Sequence, residues 1–384
     1  MRQHLRAATA VVGIGSTAFG NLPEFSADDL GCAALESALL DSGMDAADVD
    51  GLITMRVSSY ETVATRMGLE PRWTAQLPAE GRMTGVAIQL AVTAIVTGSA
   101  STVALVYGNN GRSGGHTYGG GGPAASAAAQ GYGTNPCLTL PYGITSPGAF
   151  YALMFQRYRQ RHATTPEQLA AVAQTFRAHA ALNPDAVATK PISMADYLAG
   201  RQIVEPLRIY DYCLINDGGV AMILTSRERA RDCAQPPVAV VGFAQQGQLC
   251  NSDFPPDDYW RGAIGEVGQR AYQMAGCTRS DVDVLMAYDN FSPNVLFTLE
   301  GLGFCGPGEA AEWIQNGRIG IGGALPTNTS GGHLSESYMQ GWGLNVEAVR
   351  QLRRSCGPRQ VAGAEIAQYL CAAPIVTSVV YGSL

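Results

Sequence analysis

The side chains that most often carry covalent or metal chemistry are scarce in this sequence or poorly spaced for it. The chain of 384 residues holds a single lysine, Lys190, against 24 arginines. Lys190 sits directly before a proline in the polar stretch VATKPIS, the setting of a solvated loop and not of the desolvated pocket an amine nucleophile requires. The five histidines, His4, His116, His162, His179 and His333, contain no HxH or HExxH pattern, and no cysteine pair stands at ligand spacing, so a protein-bound catalytic metal is not expected. Nine cysteines without a CxxC, an odd number in a chain too long to need stapling, read as reduced thiols.

The elements that would position a site alternate helix and strand, as in an α/β fold. Residues 27–42 read as a helix, 49–55 as a strand, 84–98 as an apolar helix stopped by Gly98, and 102–108 as a strand buried on both faces. Gly43, Asp48, Val49, Asp50 and Leu52 recur as Gly276, Asp281, Val282, Asp283 and Leu285 at a constant offset of 233. Both sets close a helix and lead into a strand, which indicates an internal duplication with halves 1–232 and 233–384. An insertion over 108–205 interrupts the first half. It opens with a glycine-rich stretch to residue 133 and continues, over 150–182, as two helices joined by a Thr-Thr-Pro-Glu cap. Insertions of this size tend to cover a binding site or a subunit interface.

Charge narrows the partners. The formal net charge is −7 with no basic run, so neither nucleic acid nor an anionic membrane is an expected partner. Nowhere do 18 uncharged apolar residues follow one another, and the N-terminal apolar stretch reads as a buried strand before a glycine turn. A cytoplasmic location is expected, with a small molecule or another protein as partner.

Several segments together resemble the thiolase superfamily, in the branch typified by sterol-carrier-protein-X thiolases. They are HATTPEQLAAVAQTFRAHAALNPDA with PLRIYDYCLINDGGVAMILTS, YDNFSPNVLFTLEGLGFCGPGEAAEWI (288–314) and LPTNTSGGHLSESYMQGWG (325–343). The resemblance implies a thiolase fold, two βαβαβαββ-type halves in an α/β/α/β/α arrangement. It also implies a cysteine nucleophile at the start of the helix near 84–98. The corresponding position in PAEGRMTG is Gly81 or Arg82, and neither can form a thioester. The family's Gly-His-Pro histidine aligns with Tyr338, and the histidine of its His-Asp-x-Phe segment aligns with Tyr288. The surrounding YLCAAPIVTS lacks the glycines expected near the family's second cysteine, so Cys371 reads as a buried inert thiol.

Losing the nucleophile while placing tyrosine at both oxyanion positions is similar to the thiolase-like aldolases of bacterial steroid side-chain degradation. That resemblance implies retro-aldol cleavage of a β-hydroxyacyl-CoA, such as a steroid 17-hydroxy-20-carboxyl-CoA thioester, to a ketone and a short acyl-CoA such as propionyl-CoA. A free phenol has a pKa near 10, so it donates readily at neutral pH but needs a lowered pKa to act as a base. Tyr338 is taken as the base and Tyr288 as the acid or oxyanion donor, although the reverse stays open. Asp289, Asn290 and His333 are candidate supporting residues. No cofactor beyond the CoA thioester substrate is expected. The resemblance further implies a homodimer, with STVALVYG (101–108) at its interface, and a small OB-fold zinc-ribbon partner completing a heterotetramer. The competing readings are an acyl-CoA thiolase using another cysteine, and a non-catalytic lipid-transfer or scaffold protein.

Overall fold

The offset of 233 residues seen in the sequence is also the interval at which the backbone repeats. Gly43 and Gly276 both end helices in the left-handed conformation, with φ of 71° and 65°. Single 3-10 turns follow at Ala46–Asp48 and Arg279–Asp281, and strands then begin at Gly51 and Val284. A side chain at either glycine would be strained at that φ, so the local sequence fixes where each helix stops. The computed structural model describes residues 5–116, 140–247 and 256–384. Most of the glycine-rich stretch, from residue 117, therefore lies outside the described residues.

In the first half the order is β1 (Thr9–Ser16), α1 (Ala27–Ser42), β2 (Gly51–Met55), α2 (Tyr60–Met67), β3 (Trp73–Leu77), α3 (Met83–Val96) and β4 (Thr102–Asn110). The insertion contributes α4 (Pro147–His162), α5 (Pro166–Ala180), α6 (Met194–Ala199) and the short strand β5 (Gln202–Val204), and β6 (Leu207–Arg208), β7 (Asp217–Ser226) and α7 (Arg227–Ala230) follow it. The second half comprises β8 (Val238–Gly247), α8 (Arg261–Ala275), β9 (Val284–Ala287), α9 (Ser292–Leu302), α10 (Ala310–Trp313), α11 (Gly332–Ser335), α12 (Trp342–Leu352), β10 (Ile366–Cys371) and β11 (Ile375–Ser383). The cap joining α4 to α5 forms as expected: Thr165 and Gln168 make a capping box and Pro166 takes the first helical position.

Among the described residues the large sheet runs β3-β2-β4-β7-β1-β8-β11-β10-β9. The order β2-β4-β7-β1 in one half matches β9-β10-β11-β8 in the other, with the first pair parallel and the rest antiparallel in each. The two halves join where Ala10 and Val11 of β1 pair with Ala239 and Val238 of β8. Helices α3 and α12 share one apolar core with strands from both halves, while α1 and α8 cover the opposite faces. The result is five layers, α/β/α/β/α. The middle position explains why α3 is apolar nearly all round, since strands of both halves pack against it.

One expectation fails. The run 101–108 is not available as an interface strand, because β4 is paired on one edge with β2 and on the other with β7, and both of its faces are buried. Its apolar character comes from a central place in the sheet. The outer edge of the first half is β3, whose Trp73, Ala75 and Leu77 are only partly buried.

Candidate active site

Three segments from both halves meet at one end of the central layer. The chain leaving β9 carries Tyr288, Asp289 and Asn290 towards α9, the short helix α11 carries His333, the loop from it to α12 carries Tyr338, and the residues before α3 bring Gly81 and Arg82. Backbone bonds fix the two tyrosines at their bases: Tyr288 N donates to Leu370 O at 2.9 Å, and Tyr338 N donates to Asn216 Oδ1 at 2.7 Å. Gln340 ties the loop to the α3 entry, donating through Nε2 to Ala79 O (2.9 Å), while its carbonyl accepts from Thr84 Oγ1 (2.6 Å).

The hydroxyls of Tyr288 and Tyr338 lie 3.0 Å apart, a direct hydrogen bond between side chains 50 residues apart in sequence. Both rings are buried, with 4% and 7% exposure. Gly81 packs against the Tyr288 ring so closely that a Cβ at that position would lie 2.7 Å from ring atom Cε2, and closer still to the hydroxyl oxygen. The hydroxyl of Tyr288 thus fills the space into which a side chain at residue 81 would project.

His333 and Asp289 support this pair. The imidazole meets the Tyr288 and Tyr338 rings edge-on, with centroids at 4.7 and 5.1 Å. Its Nε2 accepts the Gly341 N–H at 3.0 Å, so the ring carries its proton on Nδ1, which lies 3.2 Å from Asp289 Oδ1 but off the line of a good hydrogen bond. Asp289 accepts the backbone N–H groups of His333 (3.0 Å) and Leu334 (3.2 Å). Burial lowers the His333 pKa to about 3 and raises that of Asp289 to about 7, so the imidazole is neutral at physiological pH. With the Nε2 lone pair taken by Gly341 N–H and the proton on Nδ1, the neutral His333 packs against both tyrosines and has no lone pair left to take a proton from substrate. Asn290 is likewise engaged: its Oδ1 accepts from Phe291 N and Asn294 Nδ2, each at 3.1 Å.

A cavity of about 440 Å³ opens beside Tyr338 and Asn290. Its walls are chiefly apolar, including Val187, Ile203, Ile209, Leu214 and Phe291, and Arg112 and Arg201 also line it. The Cys213 thiol on its wall is pushed up by burial, and the buried Cys371 thiol is pushed up to about 12. Neither carries appreciable thiolate at neutral pH. Lys190 is exposed. Among the described residues no group of three His, Cys, Asp or Glu side chains could hold a metal ion, and no helix is long and apolar enough to cross a membrane.

Sequence reasoning missed several parts of this site. Asn216 and Gln340, which fix the Tyr338 loop, and Tyr212, which lines the cavity, carry no local signal of their roles. The steric exclusion of a side chain at residue 81 by Tyr288 joins residues from different halves, which no spacing rule connects.

Known proteins match most of this chain. Residues 255–380 match the thiolase C-terminal domain-like family. A steroid side-chain-cleaving aldolase from Thermomonospora curvata is 37% identical over 360 residues, covering 91% of each chain. The 17-hydroxy-3-oxo-4-pregnene-20-carboxyl-CoA lyase of Mycobacterium tuberculosis is 38% identical over 373 residues, 94% of this chain and 95% of that one. Among solved structures, the Ltp2-ChsH2(DUF35) aldolase superposes with a TM-score of 0.89 at 34% identity, over 99% of this chain and 98% of that chain. Human mitochondrial 3-ketoacyl-CoA thiolase shares the fold, with a TM-score of 0.71 at 16% identity over 99% of each chain.

Proposed function

Since the chain belongs to the thiolase-like aldolases of the thiolase superfamily, we propose that it cleaves a tertiary β-hydroxyacyl-CoA by retro-aldol reaction, with Tyr338 and Tyr288 as the reacting pair. The substrate class is a steroid side-chain thioester of the 17-hydroxy-20-carboxyl-CoA type, and the products are a ketone and a short acyl-CoA such as propionyl-CoA. The observation that carries this reading is the 3.0 Å contact of two buried phenols, one of which, Tyr338, lines a chiefly apolar cavity.

Tyr338, which lines the cavity, takes the proton of the β-hydroxyl. The C–O bond becomes a carbonyl, the α–β carbon bond breaks, and its electron pair passes into the thioester as an enolate. Tyr288 donates to the developing oxyanion, and Tyr338 then returns the proton it took to the α-carbon, which gives the shorter acyl-CoA and regenerates the base. Retro-aldol and retro-Claisen cleavage share this enolate, so a thiolase cavity is already shaped for it. A hydrogen bond from Tyr288 also favours the anionic form of Tyr338, which a phenol needs in order to act as a base.

The division into halves 1–232 and 233–384, the absence of any cofactor beyond the CoA thioester and the cytoplasmic location belong to the same proposal. So do a homodimer and a heterotetramer with a small OB-fold zinc-ribbon subunit. The partly buried β3 edge is the strand available for pairing between two copies. Arg112 and Arg201 are suited to the CoA phosphates, which the single lysine of this chain cannot serve by itself.

The test is incubation with a tertiary β-hydroxyacyl-CoA, with and without the partner subunit, followed by mass spectrometry for the ketone and the short acyl-CoA. Formation of a thiolysis product that depends on free CoA and is blocked by iodoacetamide would instead favour a cysteine thiolase. A stable complex with unconverted thioester under both conditions would favour a carrier.

A further inference from the structure

Tyr212 lines the cavity together with Tyr338, and no step described so far uses it. It opens the segment 212–215 that forms one wall of the site. The Tyr212 backbone bridges to that of Phe291, Cys213 N donates to Asn290 O at 3.0 Å, and Leu214 N donates to His333 O at 2.9 Å. The side chain lines the cavity, with its ring edge-on to Phe291 at 5.0 Å between centroids. Gly148 at the start of α4 makes room for it: a Cβ there would stand 2.5 Å from ring atom Cε1 and 2.6 Å from the hydroxyl oxygen.

That hydroxyl oxygen is shut off from bulk solvent and has no hydrogen-bond partner among the described residues. Buried polar groups are nearly always satisfied, and an orphan in a native structure calls for an explanation. Burial, reinforced by the neighbouring Asp211 and Cys213, pushes the phenol pKa up, so the group stays protonated and acts as a donor. Much of the remaining wall is apolar, which leaves a bound ligand as the source of the missing acceptor.

We infer that Tyr212 is a substrate-binding residue whose hydroxyl donates a hydrogen bond to a carbonyl oxygen of the bound thioester other than the reacting one. The inference rests on the reading of the cavity as an acyl-CoA site. An acyl-CoA offers such a carbonyl in two places, the amides of the pantetheine arm and a ketone carried by the bulky acyl group. A site built to meet a carbonyl rejects analogues that lack it, because its own donor is then left unpaired.

The experiment compares wild type with Tyr212→Phe on three probes: a tertiary β-hydroxyacyl-CoA with a ketone on its ring system, the same compound without that ketone, and the ketone-bearing acyl group on N-acetylcysteamine. On the first probe KM should rise about tenfold, the usual worth of one hydrogen bond, with kcat within twofold. If the ketone is the acceptor, the penalty disappears on the second probe only. If the outer pantetheine amide is the acceptor, it disappears on the third only, and a penalty on all three assigns the inner amide. An unchanged KM on every probe, or a loss confined to kcat, overturns the inference. Calorimetric binding of the saturated thioester lacking the β-hydroxyl reads the same Tyr212→Phe penalty without turnover. Wild type that binds this thioester yet cleaves none of the probes sinks the aldolase reading, while the difference in Kd still decides Tyr212. Equal Kd for both proteins, or no binding to wild type, overturns the role of Tyr212. Thermal melts of both proteins confirm that the variant is folded.

Discussion

Gly81 and Tyr288 compete for one volume: a side chain at residue 81 would run into the phenol of Tyr288. Gly81 is one of the two positions that could correspond to a thiolase nucleophile, and Tyr288 stands where the family's histidine is expected. A cysteine at residue 81 would displace the Tyr288 hydroxyl.

Gly81→Ala should destabilise the protein by about 1–3 kcal/mol, the usual cost of overpacking a dense site, and should abolish cleavage. In a Tyr288→Ala background the cost of the same substitution should largely vanish. A double-mutant cycle from denaturant midpoints measures this coupling, and additive effects would show that the two positions do not share space. Gly81→Cys alone should not produce thiolase activity, which a free-CoA thiolysis assay checks.

Tyr288→Phe and Tyr338→Phe keep the rings, and with them the edge contacts to His333, but each deletes one end of the 3.0 Å hydrogen bond. Each should lower turnover by roughly 100-fold or more, as removal of a positioned acid, base or oxyanion donor commonly does. Steady-state kinetics decide it: more than about a third of wild-type turnover in both variants would remove the tyrosine pair from the mechanism.

The burial of Asp289 and His333 predicts a compensated pH dependence of stability. His333 is lowered to about 3, so the unfolded chain binds its proton first and stability falls as pH drops from about 6.5 towards 3. Asp289 is raised to about 7, so the native state binds that proton first and stability rises as pH drops from about 7 towards 4. The two slopes nearly cancel between pH 4 and 6.5. Asp289→Asn removes one of them, and unfolding free energy should then fall more steeply with acidification than in wild type, by up to about 1.4 kcal/mol per pH unit. Parallel urea titrations at pH 4.5, 5.5 and 6.5 measure the difference. Identical slopes for the two proteins would contradict it.

Light scattering of the purified chain should give a homodimer, shifting to a heterotetramer when the small partner subunit is added. A charged residue in the middle of the β3 edge, as in Ala75→Glu, should weaken the dimer if that edge forms the interface. A monodisperse and fully active monomer would exclude both levels of assembly, whereas a fully active homodimer would remove only the partner.

Much of the fold could be read from the sequence because its signals are local. Each left-handed glycine stop, capping box and apolar strand lies within a few residues of the backbone it governs, and the repeat at 233 residues copies such signals from one half to the other. The loss of the nucleophile and the arrival of Tyr288 and Tyr338 were equally legible, being matters of residue type at aligned positions. Strand order was less so. The buried run 101–108 reads the same whether its neighbours are strands of its own sheet or a second subunit, and only the pairing with β2 and β7 decides between them. The chemistry of the site also waited on packing. Whether two phenols meet, whether an imidazole is neutral, and whether the Tyr212 hydroxyl is left without an acceptor depend on distances between segments remote in sequence. Those distances, and the burial that shifts the pKa values, are set only when both halves close around the central helices α3 and α12.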